Sequence, residues 1–489
     1  MLPTVRRLAP VLNVLGKMVM LLAVTMLLPL VVSDLTGDAA AAAFHWAMGV
    51  TFVSGLAMAL ATMGVRRELT PRDGYLLASL TWIVLTAFSA LPLLFHLPEL
   101  SFTDAYFEAM SGLSTTGATV LVGIDDLPHS INLWRHQLNW MGGMGIIVLA
   151  VAIFPLLGVG GRQLFKAETP GPMKESKLTP RITETAKNLY LVYVAITLAC
   201  IAALMAVGLD WFEATCHAFA AMGLGGFSTH DASVGFFDSP AVEAVLIVFM
   251  LVAGMNFTTH FLAFRSRSLR CYLADVEAQA FLVLVLGSCL LASLYIWAME
   301  VYPSFWAALR HVSFNLVSIA TDCGFVSTDY NQWPIVVPLW MLFLSCVAVS
   351  SGSTGGGIKM MRTLVTFQQA LREMSKQIHP AMMQSVRLGR HVIENRLVFA
   401  IQSFVLLYVT TVVGLTFLLL ATGLEPVSAL SAILATINNA GPGLNVVGPA
   451  GNFSPLTDFQ TWVCSFSMVA GRLELFTLFV LFTPRFWAK

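Results

Sequence analysis

Charge is scarce in this 489-residue chain. Asp, Glu, Lys and Arg together supply 11% of it, against roughly 25% in an ordinary soluble protein. That shortage excludes a soluble globular enzyme and a disordered chain. Net charge is missing too, since 27 basic residues balance 27 acidic ones. A nucleic-acid binder working through a basic surface is excluded with it. Cysteine is thin: the 7 residues lie at 200, 216, 271, 289, 323, 346 and 464, with no CxxC pair. Neither a zinc site nor a disulfide framework is indicated. The 10 histidines form no HExxH string and no Ser/His/Asp grouping, so a membrane enzyme has no visible chemistry. No cytosolic loop is long enough for an ATPase domain, which argues against a pump acting alone.

What the chain has is apolar length. Hydrophobic residues make up 57% of it, and the mean hydropathy is +0.78. A helix crossing a bilayer needs about 20 largely apolar residues. Ten stretches qualify: 11–33, 43–64, 74–95, 133–158, 186–208, 241–263, 278–300, 334–351, 395–421 and 458–483. The first, following Arg6 and Arg7, also resembles a signal peptide. Its length and the nine stretches after it favour a membrane helix. Loops rich in Lys and Arg face the cytoplasm. With the N-terminus inside, only Arg135 and Arg310 fall outside and Arg472 falls within a span. The acids lean the other way, giving an outer mouth that concentrates cations.

Between the spans lie four short semi-apolar segments, each ending in a glycine turn. Phe102 to Ser114 leads into Thr115-Thr116-Gly117-Ala118-Thr119, and Trp211 to Gly223 into Leu224-Gly225-Gly226-Phe227-Ser228-Thr229. Phe305 to Thr321 leads into Asp322-Cys323-Gly324-Phe325, and Pro426 to Asn438 into Asn439-Ala440-Gly441-Pro442-Gly443. The central glycines 117, 226, 324 and 441 are 109, 98 and 117 residues apart. Such a period marks a repeated supersecondary unit, here span, short helix, glycine turn, span. Counting 28 residues on gives Gly145, Gly254 and Gly352, and 30 gives Gly471, which predicts a glycine at matching depth in each second span.

The expected fold is an all-α membrane protein with ten transmembrane helices. Two N-terminal helices (1–70) precede four pseudo-symmetric helix–pore helix–helix repeats around one central pore. The repeats cover 74–160, 185–265, 277–360 and 394–489, with a cytoplasmic linker at 361–393. Non-helical backbone at membrane depth survives only where protein buries it or water fills a cavity. Four turns presenting carbonyls to one axis make a cage for a dehydrated cation. Helix C-termini aimed at that axis add partial negative charge. The expected ligands are the central glycines and the two residues before each: Thr115, Thr116 and Gly117; Leu224, Gly225 and Gly226; Asp322, Cys323 and Gly324; Asn439, Ala440 and Gly441. The polar side chains among them are read as bracing the turns more than as ligands.

The third unit's second span contains Ser350-Ser351-Gly352-Ser353-Thr354-Gly355-Gly356-Gly357. Three successive glycines, each costing about 1 kcal/mol of helix propensity, predict a break. A Walker A reading fails, because Ile358 stands where lysine is required. Arg472 follows Gly471 in the last span, where a cation is costly and faces the interior. By repeat alignment it sits level with Ser353. Glu474, two residues on, points to nearly the opposite face and is no obvious partner for it.

These strings, in this order and spacing, resemble the membrane subunit of the Trk-type bacterial potassium uptake systems, within the Trk/Ktr/HKT superfamily. The matching pieces are Thr115-Thr116-Gly117-Ala118, Gly225-Gly226-Phe227-Ser228-Thr229-His230-Asp231, Cys323-Gly324-Phe325 and Asn439-Ala440-Gly441-Pro442-Gly443. The resemblance implies potassium uptake across the bacterial inner membrane, with both termini cytoplasmic and K+ as the transported ion. It implies gating by the broken segment, Gly352, Ser353, Thr354, Gly355, Gly356 and Gly357, with a pore arginine at Arg472. It also implies a homodimer and a cytosolic regulatory subunit of the RCK/KTN type (TrkA-like) that binds NAD(H) or ATP/ADP. No organic cofactor site is visible in this chain. Glycine at all four centres goes with potassium preference in that family. Cys323 before Gly324 departs mildly from its pattern, and Asp322 puts a carboxylate near the filter. A proton- or sodium-coupled symporter of the same fold is the alternative.

Overall fold

A computed structural model describes residues 3–64, 69–148, 182–389 and 391–488. The expected basic loop at Arg66 and Arg67, the far end of the 133–158 stretch and most of the run from Arg162 to Lys187 lie outside those residues. The chain is helical. The only sheet among the described residues is the antiparallel pair Arg387–Leu388 and His391–Val392.

Six described helices are long and apolar enough to cross a bilayer: Leu8–Thr36, Ala41–Ala61, Arg72–His96, Ala186–Ala206, Val276–Ala298 and Asn395–Ala421. The number rises to eight if each of two bent helix pairs is one span. Two large apolar cores form between them among the described residues, with smaller clusters beside them. One surrounds the second and third short helices. The other packs the N-terminal helices against the first and fourth.

The short helices stand where the apolar segments put them: Phe102–Leu113, Trp211–Gly223, Phe305–Ala320 and Pro426–Ile437. Each begins on a side-chain cap. Ser101, Asp210, Ser304 and Glu425 accept hydrogen bonds from backbone N–H groups of the first turn, which satisfies donors the helix itself leaves open. Each also ends alike. The N–H of Thr116, Gly225, Cys323 and Ala440 donates to the carbonyl five residues back, at 2.8, 2.9, 2.8 and 2.8 Å. The residue before each bond is left-handed: Thr115, Leu224, Asp322 and Asn439 have φ of 56°, 53°, 63° and 58°. This is a Schellman C-cap built four times without glycine at the left-handed position.

Three expected spans are not continuous helices. The 241–263 stretch is Pro240–Ala253 and Phe257–Ser266, bent by 96°. Here the backbone exchanges its helical partners for the glycine-rich loop: Ser350 N–H donates to the Gly254 carbonyl at 3.0 Å and Phe257 N–H to that of Gly352 at 3.1 Å. The Asn256 side chain caps the new helix through Thr258 N–H at 2.8 Å. The 458–483 stretch is Asp458–Arg472 and Phe476–Phe482, bent by 106°. Left-handed Glu474 and Leu475 turn the chain, and Glu474 is held by Arg362 at 2.6 Å and Lys359 at 3.6 Å. The 334–351 stretch is helical only over Val336–Val347.

The Glu425 carboxyl is pushed down to about 2, chiefly by the Ser428 hydroxyl and N–H. A carboxyl lowered by folding stabilises fully above its ordinary value of 4.5, and that contribution fades as pH falls through about 2. Glu425→Gln should therefore flatten the acid limb of a melting-temperature profile below pH 4.5, measured on the purified protein in detergent.

Candidate functional site

The four glycine turns meet in cyclic order. A Cβ placed on Gly117 would lie 2.1 Å from the Gly225 carbonyl oxygen, and one on Gly226 would lie 2.1 Å from that of Cys323. One on Gly324 would lie 2.5 Å from the Ala440 oxygen, and one on Gly441 would lie 2.8 Å from that of Thr116. Each central glycine thus abuts the carbonyl that precedes the next one, and the fourth closes on the first. All four glycines are left-handed, with φ of 80°, 59°, 89° and 87°. Both the angle and the spacing demand a residue without a side chain. One vestibule of about 80 Å³ touches all four.

Side chains hold the ring. Asn439 Nδ2 donates to Thr116 Oγ1 at 3.0 Å and to the Met468 carbonyl at 3.2 Å, which ties the fourth turn to the first. Thr116 Oγ1 also bonds Ser114 Oγ at 2.7 Å. The Asp322 carboxylate accepts from Gly356 N–H at 3.0 Å, so it braces the glycine-rich loop. Leu224 and Ala440 are buried, and Cys323 Sγ lies 4.0 Å from the Ala220 carbonyl. Gly225 packs on Asn139. Thr115 Oγ1, Asp322 Oδ1 and Asn439 Oδ1 are buried with no partner among the described residues, leaving oxygen lone pairs beside the ring.

One brace has no counterpart in the sequence reading. Glu108 and Arg135 are both about 1% exposed and pair at 2.8 Å. Arg135 Nη1 donates to the Ser228 carbonyl at 3.2 Å and its guanidinium covers the Phe227 ring at 4.3 Å. Glu108 accepts from Thr119 Oγ1 and Val120 N–H. A first-unit ion pair thereby grips the second turn. Nearer the mouth, Asp125 bridges the same two units. Burial pushes its carboxyl up, but the N–H of Asp231 and the His230 ring outweigh that and leave it below the usual range.

The loop after Val347 lies directly beneath the ring. Ser350, Ser351, Ser353 and Thr354 are buried, so it is no surface turn. A Cβ on Gly356 would lie 2.1 Å from the Asn438 carbonyl, and one on Gly355 would lie 3.0 Å from that of Thr321. Thr354 Oγ1 donates to the Met222 carbonyl at 3.1 Å. Gly352 packs on Asn256, and Gly357 on the Ser345 and Cys346 carbonyls. Glu277 anchors both ends of the loop, accepting from the N–H of Ser351 and, at 3.1 Å, that of Met361. Arg472, 1% exposed, donates to the Thr354 carbonyl and the Gly142 carbonyl, both at 2.9 Å. Its guanidinium stands 5.7 Å from the Trp82 ring. It makes no ion pair among the described residues. Thr354, one residue beyond the expected Ser353, is its neighbour.

The glycine register needs one correction. Gly142, not Gly145, makes the close approach: a Cβ on it would lie 1.9 Å from the Leu113 carbonyl, as one on Gly471 would lie 1.8 Å from that of Ile437. Both carbonyls precede a central glycine by four residues. Gly145 meets only Trp82 at 3.9 Å. A three-residue slip is nearly one helical turn, so it keeps the face and changes the depth.

Removing one partner of a buried ion pair costs about 3–5 kcal/mol. Arg135→Met should lower the melting temperature sharply, and Glu108→Gln/Arg135→Met should recover much of it. Equal melting of the single and double variants would remove the pair from the ring's support.

A family model described as TrkH, cation transport protein, matches residues 43–489. The chain is 43% identical to the Trk system potassium uptake protein TrkH of Halomonas elongata, over 98% of this chain and 99% of that one. It is 42% identical to the TrkH of Escherichia coli strain K12, with the same coverage. The crystal structure of the potassium transporter TrkH from Vibrio parahaemolyticus superposes with a TM-score of 0.90 at 39% identity, over 98% of this chain and 99% of that one.

Proposed function

The chain belongs to the TrkH family of cation transport proteins, and from that premise we propose that it takes up potassium across the bacterial inner membrane through the ring of four glycine turns. It is a multi-pass membrane protein and not an enzyme. The observation that carries the reading is the closed cycle of glycine-to-carbonyl approaches. Residues 115–117, 224–226, 322–324 and 439–441 turn their backbone around one centre, and main-chain oxygens there replace an ion's hydration shell. Four helix C-termini add partial negative charge at that centre. Because neighbouring turns touch, the ring resists shrinking around a smaller ion, which supports potassium over sodium. The four units 74–160, 185–265, 277–360 and 394–489 act as repeats about one axis. With the bent and shortened helices counted, ten elements cross the membrane and both termini face the cytoplasm.

The loop from Gly352 to Gly357 gates the path, with Arg472 as its latch. Its hydrogen bonds to three units and its burial beneath the ring support that role. A buried cation without a carboxylate partner raises the barrier to a passing cation. Breaking the latch lowers that barrier and frees the loop. A second copy of the chain and a cytosolic nucleotide-binding regulator of the RCK/KTN type are its partners, the regulator docking on the cytoplasmic face. Helix Met360–Ile378 there exposes Phe367, Leu371, Met374 and Ile378 along one stripe, which suits protein contact.

The test is rubidium uptake with competing sodium, in a strain lacking other potassium importers. The wild type should restore uptake that excess sodium barely inhibits. Gly117→Ala should cut it at least tenfold at equal expression, because the new methyl meets a carbonyl. Arg472→Ala should raise flux, and unchanged flux would remove Arg472 from the gate.

A further inference from the structure

We propose that a groove at the end of the molecule away from the vestibule holds an anionic phospholipid. The groove opens beside the early part of helix Ile182–Ala206, whose other end leads into the second short helix. Its far wall is the helix Phe257–Ser266 that follows the 96° bend. It measures about 1340 Å³, above the 300–1,000 Å³ of a typical small-molecule pocket. Its body is apolar, built from Leu191, Val192, Ile196, Phe249, Phe261 and Phe264. Leu191 and Phe264 are 59% and 77% exposed, so the trough faces the lipid.

The rim is different in kind. Arg265, Arg267 and Ser268 line it with Asn188. Neither arginine has an ion-pair or hydrogen-bond partner among the described residues. Arg267 is the left-handed C-cap of its helix, with φ of 50°. The other polar side chains in the wall are already engaged: His260 Nδ1 bonds the Tyr272 hydroxyl and its Nε2 bonds the Val252 carbonyl, both at 2.8 Å. An apolar trough with unpaired cations at one end matches acyl chains below and a phosphate above. A free phosphate uses only the rim. A second copy of the chain brings the same arginines to the contact and is repelled. The inference does not depend on the potassium reading.

The full chain, purified in detergent, is titrated separately with phosphatidylglycerol, phosphatidylcholine and inorganic phosphate. Bound lipid is read by native mass spectrometry, and stabilisation by melting temperature. Phosphatidylglycerol should stay bound and raise the melting temperature, while phosphatidylcholine and inorganic phosphate do neither. Arg265→Gln/Arg267→Gln should weaken phosphatidylglycerol binding by about fivefold per arginine removed. Ala195→Trp, which fills the trough without touching charge, should weaken it too. Arg387→Gln/Arg485→Gln, at exposed sites elsewhere, should not. Equal binding of the two lipids, a shift reproduced by inorganic phosphate, or equal loss in the control pair overturns the proposal. So does an Ala195→Trp protein that becomes monomeric yet keeps its lipid, since a second copy would then own the groove.

Discussion

A glycine with no room for a methyl group, pressed against its neighbour's carbonyl, recurs four times around the centre of this protein. Gly117 meets Gly225, Gly226 meets Cys323, Gly324 meets Ala440, and Gly441 returns to Thr116. Backbone that is not helical is costly inside a membrane unless protein surrounds it. These turns surround one another. Everything outside them, from capped short helices to buried ion pair, serves to keep four separate stretches of chain in that embrace.

The support is arranged in two tiers. On the vestibule side, Arg135 and Glu108 fix the first turn to the second, and within the ring Asn439 fixes the fourth to the first. On the opposite side, the glycine-rich loop reaches the ends of three short helices while Arg472 ties it to Gly142 in the first unit. The loop therefore touches three of the four units' short-helix ends directly and is tied to the first through Arg472. A ring held by its neighbours thus stands above a loop held by a few hydrogen bonds, and that division is what the proposed filter and gate rest on.

Much of this was legible in the sequence, for a physical reason. Short apolar segments ending in glycine turns cannot span a bilayer, so their placement had one sensible outcome, and the four short helices lie within a residue of expectation. Continuity of the spans was less legible. A run such as 241–263 is largely apolar, and hydropathy carries no mark of a 96° bend that depends on Ser350 and Gly352, about a hundred residues away. The Glu108–Arg135 pair left a usable signal: two charges inside segments assigned to the membrane region, one of them a rare outward-side arginine. The sequence did not say that they were partners. The offset between Gly142 and Gly145 was invisible because both lie on one helix face.

The most direct measurement is crystallographic. Anomalous scattering from crystals soaked in a rubidium salt locates the ion itself. The account predicts density on the axis among the carbonyls of Thr116, Gly225, Cys323 and Ala440. Ordered rubidium elsewhere in the membrane region, with that ring bare in a protein active in uptake, would contradict it.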